Sequence, residues 1–435
     1  MRAKELAALD RELTCFLEEL VAPMGRSERR RWAKAYISGL LLDGERKSIE
    51  PMAARLQGVD VQALRQFVGQ SPWEVDAVQQ ALAQWVVDAL REPEVWLIDE
   101  TTFPKAGEHS VGVARQYCGA LGKLANCQLA VSLHWSSAEM SCPLAWRLYL
   151  PKAWIEDAAR RAAARVPKTL TYRSKTQLAL ELLEQALAWE LPALPVVADA
   201  AYGNDFDFRS ALRARGFSYA VAVERTTKVW LQEPRRAPLP PPKKRRGRVR
   251  RYAPWAEDLP APVDLLAVAQ QLPPSAWKPV TWRQGKKGPL RSRFALVAVW
   301  ASHGWQTLPP IERPGEWLLI EWPEGSAAPT DYWLAQFGSQ RPGLRQLIRT
   351  ARARWRVELD YRELKDELGL DHYEGRHWLG WHHHVTLVTI AFAFLRREQL
   401  RAKKNFWCDS ASGPPPPAGA LDSPDGPLPV VPDPL

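Results

Sequence analysis

The stretch Arg354-Trp355-Arg356-Val357-Glu358-Leu359-Asp360-Tyr361-Arg362-Glu363-Leu364-Lys365 places an arginine, a glutamate and a lysine at positions 354, 358 and 365. Steps of four and seven return to one face of an α-helix, so cation, carboxylate and cation line up about one and two turns apart. Such a row suits a place where a metal ion meets a phosphate. It is also what a solvated face with ordinary i,i+4 ion pairs looks like. Two more acids bear on the choice. Asp99 follows the apolar run Val95-Trp96-Leu97-Ile98, and Asp199 follows Val196-Val197-Ala198. A carboxylate leaving a hydrophobic run is costly to bury without a partner, although each alone could cap a strand-to-loop turn. Three carboxylates brought together by adjacent strands and a facing helix would hold two divalent ions roughly 4 Å apart. Such a pair activates the attacking oxygen and stabilises the leaving oxygen of an in-line phosphoryl displacement. Mg2+, hard and oxygen-seeking, suits these ligands. The histidines compete poorly. His382, His383 and His384 are consecutive and splay around a helix, so a structural or nucleic-acid-facing role is read for them. No G-x-G-x-x-G, P-loop or G-x-S-x-G element is present.

The elements that must position these acids follow from periodicity. Residues 1–90 read as helices: Leu6–Leu20, Arg31–Leu42, Pro51–Leu56, Val61–Val68 and Pro72–Leu90, the last with Ser71 as N-cap and Pro72 at its first position. The cluster containing Arg29, Arg30 and Arg31 at one joint suits DNA contact; plain all-α packing is the alternative. Residues 91–223 turn to short apolar runs. Strands are expected at Val95–Ile98, at two places between Tyr117 and Trp135 joined near Gly122–Asn126, and at Pro143–Leu150. A helix over Thr176–Glu190, a strand over Leu194–Ala198, a helix over Asp207–Arg215 ended by Gly216, and a strand over Tyr219–Val223 follow. That order describes a mixed α/β layer. Residues 224–340 read as a β-rich insertion, with strands at Pro279–Arg283, Phe294–Trp300, Trp317–Trp322 and Tyr332–Phe337. It carries a Pro-stiffened loop and then seven Lys/Arg in residues 243–251, including Lys243, Lys244, Arg245 and Arg246. This run is either a phosphate-backbone contact or a solvated, disordered segment. Helix returns over Gly343–Leu368 and His377–Leu400, within residues 341–402, and the Pro-rich residues 403–435 read as a disordered tail.

Composition agrees with this outline. The 435 residues carry 59 Lys+Arg against 49 Asp+Glu, a net charge of +10 that suggests a polyanionic partner. Five scattered cysteines with no C-x-x-C pair argue against a disulfide framework or zinc knuckle. The longest apolar run, Val385–Leu395, is too short to span a bilayer. No membrane association is expected, and a cytoplasmic location is.

In order and spacing, Asp99, Asp199 and Glu358 resemble the DDE transposases of bacterial insertion sequences, the IS-four superfamily in its seven-hundred-one branch. That superfamily carries a Tyr, Arg, Glu, Lys signature, and Arg354, Glu358 and Lys365 match its spacing; the Tyr position falls on Ala351. The segments Gly39–Met52 and Gly369–Arg376 are also similar to the branch. The resemblance covers about residues 20 to 400. It implies an RNase H-like mixed sheet flanked by helices, preceded by an all-α DNA-binding domain and interrupted by the β-rich insertion before the last catalytic helix. It also implies catalytic, metal-binding roles for Asp99, Asp199 and Glu358, with two Mg2+ ions that Mn2+ can replace. Arg354 and Lys365 would hold phosphates beside the scissile bond. Trp355 would pack beneath the site or stack on a displaced base. The implied partners are double-stranded DNA, as transposon inverted repeats and as target, and a second copy in a synaptic complex within the nucleoid. A DNA-binding relative without catalysis and a DDE nuclease without strand transfer remain open alternatives.

Overall fold

Five helices open the chain: α1 (Ala3–Leu20), α2 (Ser27–Leu41), α3 (Ile49–Arg55), α4 (Val61–Gln70) and α5 (Val75–Ala89). The structure, a computed structural model, describes residues 3–90, 92–237, 255–285, 288–303, 314–338 and 341–411. Asp60 caps α4 by accepting from the Ala63 amide, the expected use of an aspartate there. α5 begins three residues later than Ser71-Pro72 suggests. Ser71 ends α4 instead, and the buried Trp73 stacks on His383 with ring centroids 3.7 Å apart. Burying an indole outweighs a serine cap.

Strands β1 (Pro93–Pro104), β2 (Ala114–Cys118), β3 (Lys123–Ser137) and β4 (Ser141–Leu148) follow. β3 pairs antiparallel with each of the other three. β1 sets Leu97 opposite His134 and Asp99 opposite Ser132. Asp99 therefore lies in mid-strand rather than at a strand end, because Thr101, Thr102 and Phe103 continue the ladder to Pro104. The β2–β3 turn also falls earlier than expected, at Gly119–Gly122, where Gly122 takes φ +63°. Helices α6 (Lys152–Glu156), α7 (Ala158–Ala163) and α8 (Lys175–Ala188) complete this stretch, α8 opening on a capping box between Ser174 and Gln177.

The chain divides into two compact units, and the second runs from Pro195 to Arg352. It contains β5 (Val196–Ala198), α9 (Ala200–Gly203), α10 (Phe206–Ala214), β6 (Tyr219–Ala222), β7 (Lys228–Trp230) and β8 (Val263–Asp264). Then come α11 (Leu265–Gln271), β9 (Lys278–Gly285), β10 (Gly288–Ala301), β11 (Gly315–Trp322), β12 (Asp331–Gln336) and α12 (Leu344–Arg352). β5 and β6 are parallel and the other pairs antiparallel, giving a mixed sheet in the order β5-β6-β12-β11-β10-β7-β8 with β9 on β10. Alternation divides its side chains between two cores. Leu318, Ile320 and Leu334 pack with Leu265 and Val268 of α11, while Leu319, Trp333 and Ala335 pack with Leu347 and Ile348 of α12. The strands expected as an insertion are thus continuous with β6, Leu334 opposite Val221.

The chain re-enters the first unit at Ala353. Helix is expected without interruption over Gly343–Leu368; the structure has α12, a break at Ala353–Arg354, then α13 (Trp355–Asp366), followed by α14 (Trp378–Ala411). The apolar run Val385–Phe394 lies in the buried part of α14, which packs on β4, α2, α4 and α5. Trp96, Trp135, Trp146, Trp154 and Trp381 are fully buried in this unit, and Trp146 donates its indole N–H to Thr389 Oγ1 at 2.9 Å. The protein is a mixed α/β chain with sheets flanked by helices. No described helix is long and apolar enough to cross a membrane.

Candidate active site

Asp99 reaches the interior on β1 behind the buried apolar run Val95–Ile98; its side chain is 7% exposed. Its Oδ2 accepts from Arg354 Nη1 at 3.0 Å. Arg354 stands at the N-cap position of α13, and one turn on, Glu358 Oε1 accepts from its Nη2 at 3.0 Å. One guanidinium thus joins a buried and an exposed carboxylate, Glu358 being 60% exposed. A planar fork suits this bridging, since its two nitrogens point to separate acceptors.

Two lysines brace the far end of β1. Lys365 Nζ donates to Thr102 O at 3.0 Å and lies over the Phe103 ring. Burial lowers its pKa against the pull of Asp371. Lys105 Nζ donates to Tyr373 O at 2.6 Å and to Asp371 O at 3.3 Å. Burial pushes Lys105 down to about 8.

Beside Asp99 the same helix carries a buried relay. Asp360 accepts from His134 Nδ1 at 2.9 Å and from Arg396 Nη2 at 3.0 Å. The imidazole tautomer with its hydrogen on Nδ1 leaves Nε2 to accept, and the Ser132 hydroxyl lies 2.9 Å from it. Ser132 Oγ in turn accepts from the Tyr361 hydroxyl at 2.6 Å. The hydrogens on His134 Nδ1, Ser132 Oγ and the Tyr361 hydroxyl then each have one acceptor. Burial raises the Asp360 pKa, but the hydrogen bond from His134 and the charge of Arg396 outweigh it and hold the carboxyl below its usual range. Burial, then the nearby Asp99, pushes the Tyr361 phenol well above its ordinary value, so it stays a donor.

A family model described as DDE superfamily endonuclease matches residues 19–289, more than half of the chain. The chain belongs to this family. A relative named "Probable transposase for insertion sequence element IS701", from Microchaete diplosiphon, is 29% identical over 188 residues. The match covers 42% of this chain and 46% of the relative, so the chain spans less than half of that protein's length. Glu358 lies beyond the residues that the family model matches.

DDE superfamily endonucleases generally use divalent metal ions. Asp99 and Glu358 fit such an ion in kind: both are hard oxygen donors, and both already face one shared cation. Among the described residues no group of three or more His, Cys, Asp and Glu is arranged to hold a metal. Asp199 lies in the second unit, where its carboxylate caps α9, accepting from the amides of Ala201 at 3.0 Å and Tyr202 at 3.4 Å. Trp355 is half-buried with the Arg356 guanidinium over its ring. Arg30 and Arg31 are exposed at the start of α2, Arg31 over Trp32, while Arg29 donates to Met24 O at 3.2 Å. Lys243, Lys244, Arg245 and Arg246 lie outside the described residues.

The three consecutive histidines are structural. His384 Nδ1 accepts from the Tyr36 hydroxyl at 2.8 Å and its Nε2 donates to Leu370 O at 3.2 Å; His383 Nδ1 donates to Val68 O at 2.8 Å. The sequence reading passed over Ser132, His134, Asp360, Tyr361 and Arg396. A signal was present: Ser132 and His134 interrupt an apolar strand two residues apart, which puts two polar side chains on one buried face.

Proposed function

We propose that the chain is a transposase that cuts DNA at the ends of its element and joins them to a target. The observation that carries the reading is the Arg354 guanidinium shared by Asp99 and Glu358 in a chain of the DDE endonuclease family. Asp99, Asp199 and Glu358 are the catalytic carboxylates and would hold two Mg2+ ions, with Mn2+ able to substitute. Ions so held supply charge stabilisation and acidify a bound water. Asp99, fixed on a strand, keeps its carboxylate in place. Glu358, exposed at the start of α13, is open to an incoming phosphate. Arg354 and Lys365 hold phosphates beside the scissile bond, and Trp355 packs beneath them. The Arg29–Arg31 cluster and the Lys243–Arg246 run contact the DNA backbone at inverted repeats. Two copies pair the two ends. Water attack frees a 3′-hydroxyl, and that hydroxyl attacks target DNA by transesterification, with no covalent protein–DNA bond. In domain terms, residues 1–90 bind DNA, 91–223 and 341–402 form the RNase H-like core, and 224–340 form the insertion.

The test uses duplexes carrying the sequences that flank the gene, with Mg2+. Asp99→Ala, Asp199→Ala and Glu358→Ala should each abolish cleavage while end binding persists. Wild-type cleavage in any of them overturns the assignment for that residue. A pre-cleaved end offered to target DNA separates the remaining readings: joined product marks a transposase, cleavage without joining a nuclease, and binding alone a non-catalytic relative.

A further inference from the structure

The two most exposed large hydrophobic side chains among the described residues are Tyr117, 63% exposed, and Leu124, 62% exposed. They are directly paired across the β2–β3 hairpin, so both stand on the same face of the ribbon. Leu121, also exposed, lies in the turn between the strands. The next rung on the same face is Arg115 opposite Asn126, two positions back, and Lys123 is exposed beside Leu124. No aspartate or glutamate occurs between Glu108 and Glu139. The hairpin is held firmly. Gln116 Nε2 donates to Cys127 O at 3.0 Å, and the Ala120 amide donates to Thr102 Oγ1 at 3.2 Å.

We propose that this hairpin is a DNA-contacting wedge, in which Tyr117 and Leu124 enter between base pairs of a duplex while Arg115 and Lys123 hold flanking phosphates. An apolar tip is poorly placed in water but well placed in an unstacked base step. The charge on the hairpin itself is of one sign, complementary to a polyanion and not to another copy of the same basic ribbon. The pre-braced backbone lowers the ordering cost of insertion. From Ser132, opposite Asp99, to Leu124 is eight residues of β3. At about 3.4 Å each they span at most about 27 Å, or about eight base-pair steps, so the wedge would bear on DNA within that distance of Asp99.

The inference rests on the DNA-acting reading above, and its test separates the two. The full chain is titrated onto a short duplex with a central TpA step, end-labelled with a donor–acceptor pair to report bending. The wild type should bind and bend it. Tyr117→Ser with Leu124→Ser should bind roughly tenfold more weakly and leave the duplex straight, with an unchanged thermal melt. Tyr117→Phe should behave as wild type, and Arg115→Ala should reduce the salt slope of binding by about one. Unchanged binding and bending in the double variant overturns the wedge while the function stands. Loss of self-association alone, read by light scattering, overturns it in favour of a contact between copies. A wild type that binds no duplex removes both readings.

Discussion

His134 Nδ1 stands 2.9 Å from the Asp360 carboxylate, and neither side chain is more than 1% exposed. The pair ties β3 to α13, the helix that begins with Glu358 in its first turn. Removing the imidazole leaves a buried carboxylate short of one partner, which costs about 3 kcal/mol when a buried pair is broken. His134→Ala should therefore lower the urea midpoint without changing the slope. Ser132→Ala and Tyr361→Phe each remove one neutral hydrogen bond and should cost about 1 kcal/mol. An order other than His134 first would show that the relay does not hold the helix.

Arg354 spans Asp99 and Glu358 because its two terminal nitrogens diverge. A lysine offers one compact ammonium and cannot reproduce that fork. Arg354→Lys should slow metal-dependent end cleavage by at least roughly tenfold while changing DNA affinity less, since the positive charge remains. Cleavage rates measured across a Mg2+ titration decide this. A wild-type rate at every Mg2+ concentration would reduce Arg354 to a surface charge.

The three histidines of α14 make stability depend on acid. Burial lowers His382 to about 3, His383 to about 4 and His384 to about 3, with backbone hydrogen bonds opposing it. Their ordinary value is about 6.5, so between that and the native values the unfolded chain binds more protons. The stabilisation is complete above pH ~6.5 and is lost as pH falls from there toward the native values of about 4 for His383 and about 3 for His382 and His384. Each histidine should contribute about 1–2 kcal/mol of this loss at pH 5. His384→Gln, which keeps a donor and an acceptor, should flatten the pH dependence of the urea midpoint between those limits. An equally steep profile in that variant would place the acid sensitivity elsewhere.

Strong periodicity made most elements legible. α1, α4 and α8 begin and end within three residues of their expected bounds, because their apolar residues recur at helical steps. The break at Ala353–Arg354 was not legible, since no Gly or Pro marks it. Nor was the mid-strand position of Asp99: Glu100, Thr101 and Thr102 carry β1 on to Phe103 without the uniform hydrophobicity that marks its first half. Spacing alone linked Arg354 to Glu358. The link to Asp99 joins residues 255 apart in sequence, and it comes from the packing of α13 on β1. The relay was hidden for the same reason, Ser132 and Tyr361 being 229 apart.

Gly203 sets two rules of helix stability against each other. It ends α9, the short helix that Asp199 caps, and its amide bonds Asp199 O at 2.8 Å. Helix propensity alone predicts that Gly203→Ala gains up to about 1 kcal/mol. Yet a Cβ there would lie 1.8 Å from Ala222 O and 2.9 Å from its carbonyl carbon, backbone atoms of β6 that cannot swing aside. Forcing that contact costs about 3 kcal/mol or more, so the clash wins. Gly216 provides the control. It takes φ +78° with nothing within 4 Å, so Gly216→Ala should cost only about 1 kcal/mol of backbone strain. Thermal melts should therefore rank Gly203→Ala well below Gly216→Ala. Since α9 carries the Asp199 cap, end cleavage should fall with Gly203→Ala and persist with Gly216→Ala. A Gly203→Ala protein as stable and active as wild type would show that the approach of α9 to β6 is looser than 1.8 Å implies.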